Sequence, residues 1–186
     1  PPPPPPLVKI ESVKGMGTGC PQGTVSVEIS PEGDKFRPTL TAMLARVGQG
    51  VAITESRKSC TLMVRAAVPQ GVQFAIANGE IDARFKLGSG VGLTATTTIG
   101  FQGLDKIVES ASISGNQRGG IAISLNDPSE PDATAWSPCG GGRDLMIKLD
   151  LTLNQASGRN GSGAALVRRP LSERNVIALQ TRSCSP

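Results

Sequence analysis

Alternation of apolar and polar residues with a period of two runs through most of this chain. In TVSVEIS, Val25, Val27 and Ile29 fall on one side and Thr24, Ser26 and Glu28 on the other. CTLMVRAAV aligns Leu62, Val64, Ala66 and Val68, and GLTATTTIGF aligns Leu93, Ala95, Thr97, Ile99 and Phe101. LMIKLDLTL sets Leu145, Ile147, Leu149, Leu151 and Leu153 against Met146, Lys148, Asp150 and Thr152. This spacing predicts strands with one buried and one wet face, as in an antiparallel sandwich.

Between residues 72 and 86 the apolar phase moves from even positions (Val72, Phe74, Ile76) to odd ones (Ile81, Ala83, Phe85), with Asn78-Gly79 at the change. A bulge or a two-residue hairpin turn would each do this, and a long bulged strand is the preferred reading. Weaker strands are expected at 7–14, 35–46, 120–125 and 175–183, for about nine in all. LGSG and PQG read as turns, and NDPSEPDATAWSPCGGG and ASGRNGSG as surface loops. Residues 104–111 are the one place where a turn or two of helix is expected. The fold class is therefore all-β, an antiparallel sandwich of about nine strands.

Composition sharpens this picture. The 23 glycines and 15 prolines in 186 residues favour short strands and tight turns, and with four Phe, one Trp and no Tyr the core must be aliphatic. One domain fits the length, giving a single β-sandwich over 7–186 behind a polyproline II tail at 1–6. The net charge of +4 is scattered, with no basic run longer than Arg168-Arg169 and few aromatics to interleave. Nucleic acid is not expected as a partner. No apolar run approaches the length of a membrane span, and a chain that opens on Pro1 without Met reads as a mature or trimmed product.

The four cysteines, Cys20, Cys60, Cys139 and Cys184, form no CxxC pair, and the chain has no histidine. That makes a structural zinc site a poor reading and two disulfides a good one, with an oxidising, extracellular compartment. Three pairings are possible. Cys20–Cys60 and Cys139–Cys184 is favoured, each closing a loop of moderate length worth roughly 4 kcal/mol.

Catalytic chemistry finds little support. Lack of histidine removes the Ser-His-Asp and Cys-His arrangements. Paired carboxylates of the glycosidase kind could be drawn from Glu28, Glu55, Glu80, Asp82, Glu109, Asp150 and Glu173, but no pair stands out. Asp127, Glu130 and Asp132 in DPSEPD lack the oxygen spacing of a calcium loop. GTGCP and GGGRD lack the Gly-Lys-Ser/Thr ending of a phosphate loop and read as turns flanking disulfides. No metal, cofactor or enzymatic activity is expected. Asn160 opens the glycosylation sequon NGS, and Trp136, just before Ser137-Pro138-Cys139, is read as a packing partner of the disulfide ahead of a sugar platform.

The cysteine frame itself carries a resemblance. GTGCPQGTVSVEIS, ESRKSCTLMV, PQGVQFAIA, WSPCG and the closing LQTRSC, in that order over about 7–184, resemble a family of small secreted proteins of unknown function found chiefly in fungi and other walled eukaryotes (domain of unknown function 4360). The resemblance implies an extracellular β protein and supports the pairing of Cys20 with Cys60 and Cys139 with Cys184. It brings no catalytic residue. The chain departs from the family's usual look in lacking tyrosine and in its hexaproline lead, which is similar in composition to wall glycoproteins.

The function expected is a non-enzymatic secreted structural protein of an extracellular matrix, cell wall or surface filament. Its partners would be further copies of itself, a matrix protein or a glycan. Pro1, Pro2, Pro3, Pro4, Pro5 and Pro6, a rod of roughly 19 Å, would serve as an interaction tail. The alternative is a carbohydrate-binding module acting on wall polysaccharide, against which the shortage of stacking aromatics counts.

Overall fold

The computed structural model describes residues 8–125, 136–156, 161–167 and 176–184. Thirteen strands fill most of them: β1 (Lys9–Met16), β2 (Val25–Ile29), β3 (Lys35–Leu40), β4 (Leu44–Val47), β5 (Arg57–Ala67), β6 (Val72–Asn78), β7 (Glu80–Leu87), β8 (Val91–Phe101), β9 (Lys106–Ser114), β10 (Gln117–Ser124), β11 (Leu145–Gln155), β12 (Gly163–Val167) and β13 (Ile177–Ser183). A single 3-10 turn covers Ile53–Ser56. Among the described residues no helix is long and apolar enough to cross a membrane.

All pairings are antiparallel. One sheet has the order β1-β5-β11-β8-β9, and the others run β10-β7-β12-β4 and β2-β3-β13-β6. The two four-stranded sheets are halves of one layer. Gly163–Val167 pair with Leu87–Ala83, and Ala178–Ser183 continue along Asn78–Val72, so β12 and β13 together retrace β7 and β6. On the far side β4 flanks β12 and β3 flanks β13. The layer thus changes from one sheet to the other between β6 and β7, and this seam is the main irregularity of the fold.

The alternation seen in the sequence produces the core. Leu93, Ala95 and Phe101 of β8, Leu145, Ile147, Leu149, Leu151 and Leu153 of β11, and Leu62 and Val64 of β5 are all buried. They face Phe36, Phe74, Ile76, Ile81, Ala83, Leu87, Ala165, Ile177 and Leu179 of the broken layer, in one cluster. Phe74 and Phe101 meet edge to face at 5.2 Å across the two layers, a favoured geometry for aromatic rings.

The phase change at 76–81 is a bulge. Asn78 pairs with Ala178 but Ile76 with Leu179, so Ala77 is one residue more than its partner strand supplies. β6 and β7 run on from one another and do not pair as a hairpin. Gly79 allows the tight crossing, because a Cβ there would stand 3.1 Å from Ile177 Cγ1.

Other expectations change in detail. The stretch 35–46 is two strands, β3 and β4, and the strand β12 was not foreseen. Residues 104–111 hold no helix: most of them belong to the edge strand β9. Its alternation is hard to read because Glu109 lies directly opposite buried Thr97, on the core side, while Val108 is 61% exposed on the other. Glu109 stays exposed at the open edge of the sheet, and a charge on the core side of an outer strand blunts edge-to-edge pairing.

Candidate functional site

Of the residues singled out from sequence, the cysteines are placed most clearly. Cys20 bonds Cys60 and Cys139 bonds Cys184, with Cα–Cα distances of 5.4 and 5.9 Å. The first bridge is enclosed, with both cysteines buried. Its approach explains GTGC: Gly17 has φ +138°, and a Cβ on it would collide with the Ser59 carbonyl. The Gly19 N–H donates to that carbonyl at 2.8 Å, while Thr18 Oγ1 accepts from the Ser59 N–H at 3.0 Å. The second bridge is different, since Cys139 is exposed and Cys184 half-buried.

Around that second bridge a polar network ties the 136–140 segment to β6 and β13. The guanidinium of Arg182 lies 3.9 Å over the Trp136 ring, a cation–π contact, and its Nε donates to Gln73 Oε1 at 2.8 Å. Gln73 Nε2 then donates to the Ser137 carbonyl at 2.9 Å. Ser137 is buried but satisfied, accepting from the Phe74 N–H at 2.9 Å and donating to the Pro138 carbonyl at 3.0 Å. One face of the only indole is therefore taken by Arg182, which leaves Trp136 a smaller platform than its exposure suggests. Phe36, Phe74 and Phe101 are buried.

The carboxylates are dispersed. Glu28 pairs with Arg37 at 3.7 Å, Glu55 with both Arg46 (3.9 Å) and Lys58 (3.3 Å), and Asp150 with Lys148 at 3.9 Å. Among the described residues no three metal-ligating side chains cluster. Pro1–Pro6, Asp127, Glu130, Asp132, Asn160 and Glu173 lie outside the described residues.

What sequence reasoning missed is the cleft at the seam. The layer splits between β6 and β7, and its outer surface there forms a hollow of about 750 Å³ lined by Lys35, Arg37, Asn78, Gly79, Glu80, Val176 and Ala178. Its floor follows from register. Phe36 points into the core, which turns Lys35 and Arg37 outward, and Ala178 lies between Lys35 and Asn78. A shallower hollow of about 330 Å³ continues past Lys35 and Arg37 to Glu28 and Ser30. Arg37 is held only on one side: Nη1 faces Glu28, while its Nε is shut off from solvent with no partner. The signal in the sequence was the phase change at Asn78-Gly79, which marked the break without saying what surrounds it.

A family model described as Domain of unknown function (DUF4360) matches residues 6–184. The chain belongs to this family. A relative of the DUF4360 chain, an uncharacterized secreted protein of Arthroderma benhamiae (strain ATCC MYA-4681 / CBS 112371), is 33% identical over 163 residues, which is 87% of this chain. The chain spans 65% of that relative's length. Among solved structures it is similar to TmCBM61 in complex with β-1,4-galactotriose, at TM-score 0.37 and 9% identity over 94% of this chain and 90% of that one. It is also similar to the family 11 carbohydrate-binding module of Clostridium thermocellum, at TM-score 0.27 and 10% identity over 92% of this chain and 94% of the other.

Proposed function

We propose that this DUF4360 chain is a secreted, non-catalytic glycan-binding protein whose ligand lies in the cleft at the seam. The observation that carries this reading is the cleft's lining. Its size suits a short oligosaccharide. Its polar groups alternate in kind, with Lys35 and Arg37 as donors, Glu80 as acceptor and Asn78 as both. Neighbouring sugar hydroxyls need such a mixture, since each both donates and accepts. The near balance of charge around the cleft, with Glu28 and Glu80 beside Lys35 and Arg37, suits a neutral sugar residue. Two disulfides and a secreted relative support the extracellular setting.

With the aromatic rings mostly inside, binding rests on hydrogen bonds and is modest for one site, roughly millimolar. The test is retention on insoluble neutral polysaccharides, with affinity electrophoresis in soluble ones. Lys35→Ala with Glu80→Ala should abolish retention while leaving the unfolding midpoint unchanged. Wild-type protein that ignores every polysaccharide but forms polymers would replace this reading with a structural role in a matrix or wall.

A further inference from the structure

The outer face of β10-β7-β12-β4 carries four cations, of which Arg84, Lys86 and Arg118 enter no ion pair among the described residues. Alternation along β7 turns Ala83, Phe85 and Leu87 inward, so Arg84 and Lys86 point out. Register then places Arg118 of β10 directly opposite Lys86, and Lys86 opposite Ala164 of β12, which in turn faces Arg46 of β4. Arg118, Lys86, Ala164 and Arg46 thus form one row across four strands, about 14 Å long at ~4.8 Å per strand. Arg84 stands one pleat repeat, about 7 Å, from Lys86 on the same face.

All four cations are exposed. Arg46 shares Glu55 with Lys58, whereas Arg84, Lys86 and Arg118 enter no ion pair among the described residues. The acids of this face, Asp82 and Glu80, sit on the same strand but toward the seam. Charge is therefore segregated, and two like charges stand directly opposite each other, an arrangement that costs stability in a sheet. A face needing only solubility would intersperse the signs.

The residues beside the cations are small, Gly120 opposite Arg84 and Ala164 opposite Lys86. Gly120 faces Arg84, whose Cδ and Nε lie 3.6 Å from where a Cβ on that glycine would be. Leu166, 40% exposed, flanks Arg84 on the other side and offers an apolar surface to the C–H face of a sugar ring.

We propose that Arg84, Lys86 and Arg118 bind the acid groups of a polyanionic glycan, at a site beside the seam cleft and set apart from it by Glu80 and Asp82. Arg84 and Lys86 span about 7 Å along β7 and Arg118 lies ~4.8 Å across on β10, a spacing that suits acid groups on neighbouring sugar residues. The proposal rests on the glycan reading for the nature of the polymer and adds its charge. A phosphate backbone would feel the same cations, but the face presents no aromatic ring for a base to stack on, because Phe85 turns inward.

The experiment measures binding of the whole chain to polygalacturonate (carboxylate), dextran sulfate (sulfate), neutral dextran and single-stranded DNA of mixed sequence, at several salt concentrations. Retention is expected on polygalacturonate or dextran sulfate, weakening as salt rises, with neutral dextran and DNA bound far less. The variant R84Q/K86Q/R118Q should bind at least about tenfold more weakly. A control with the same loss of charge elsewhere, K9Q/K14Q/R57Q, should bind as the wild type does. Both variants alter exposed side chains, and an unchanged or raised urea midpoint confirms folding. Retention by the first variant, equal loss in the control, or DNA bound as tightly as the glycans overturns the proposal. The cleft variant separates the two readings: it should lose neutral polysaccharide yet keep salt-sensitive binding to the acidic one.

Discussion

Replacing Thr97 by Val should make the protein more stable. Thr97 is 1% exposed on the core side of β8, opposite Leu149 on one neighbour and Glu109 on the other, and its Oγ1 has no hydrogen-bond partner. A desolvated hydroxyl left unpaired costs about 1–3 kcal/mol by protein mutational measures. Valine has nearly the same shape and the same β-branching, so strand preference and packing volume are kept while the penalty is removed. The expected gain is about 1–2 kcal/mol, or roughly 2–8 °C in Tm for a domain of this size. Urea unfolding with disulfides intact should show a higher midpoint at unchanged slope, since no additional surface is exposed on unfolding. Thr96→Val is the control, because Thr96 sits on the wet face and its Oγ1 bonds Ser110 Oγ at 2.8 Å. It should be neutral or slightly destabilising. A Thr97→Val protein no more stable than wild type would mean the hydroxyl is paired, and the account of this part of the core would fail.

Burial and backbone geometry elsewhere in the fold set four further outcomes. Limiting dithiothreitol followed by alkylation and peptide mass mapping should open the exposed Cys139–Cys184 bridge well before the enclosed Cys20–Cys60 one; simultaneous or reversed opening would contradict the burial described. Gly17→Ala should cost more than about 2 kcal/mol, combining a positive φ with a collision at the Ser59 carbonyl, whereas Gly23→Ala, with φ +89° and open space around it, should cost only about 1 kcal/mol. Leu149→Asp buries an unpaired charge in the core and should abolish secretion of folded protein, with yield as the readout. Glu109→Val should leave the monomer folded but promote association at the β9 edge, seen by light scattering.

The strands legible in sequence were those whose two faces meet different surroundings. β8 and β11 lie inside their sheet with core on one side and water on the other, so Leu93 to Phe101 and Leu145 to Leu153 declare their phase without ambiguity. β9 has solvent around most of its residues, and an inward Glu109 breaks the only pattern it could have shown. β12 is short and partly made of Gly163, Ala164 and Ala165, which read equally well as loop. The cysteine pairing was legible because it is a property of chain order as well as of space. The cleft was not, because Lys35, Arg37, Asn78 and Glu80 come from strands far apart in sequence, and only the register of β13 against β3 and β6 joins them. Lys86 and Arg118 are likewise 32 positions apart until β7 and β10 pair.

The bulge at Ala77 behaves as a parity bit for everything downstream in its strand. Glu80 to Leu87 would alternate whatever came before, but which members of the alternation see water is decided by a single residue upstream. Removing one residue between Ile76 and Glu80 would exchange Ile81, Ala83, Phe85 and Leu87 for Glu80, Asp82, Arg84 and Lys86 in the core. The protein is thus far more exposed to the loss of one codon here than to most point substitutions. Among relatives that keep this sheet, insertions and deletions in this short stretch should come in even numbers, or in odd ones cancelled before β7 begins.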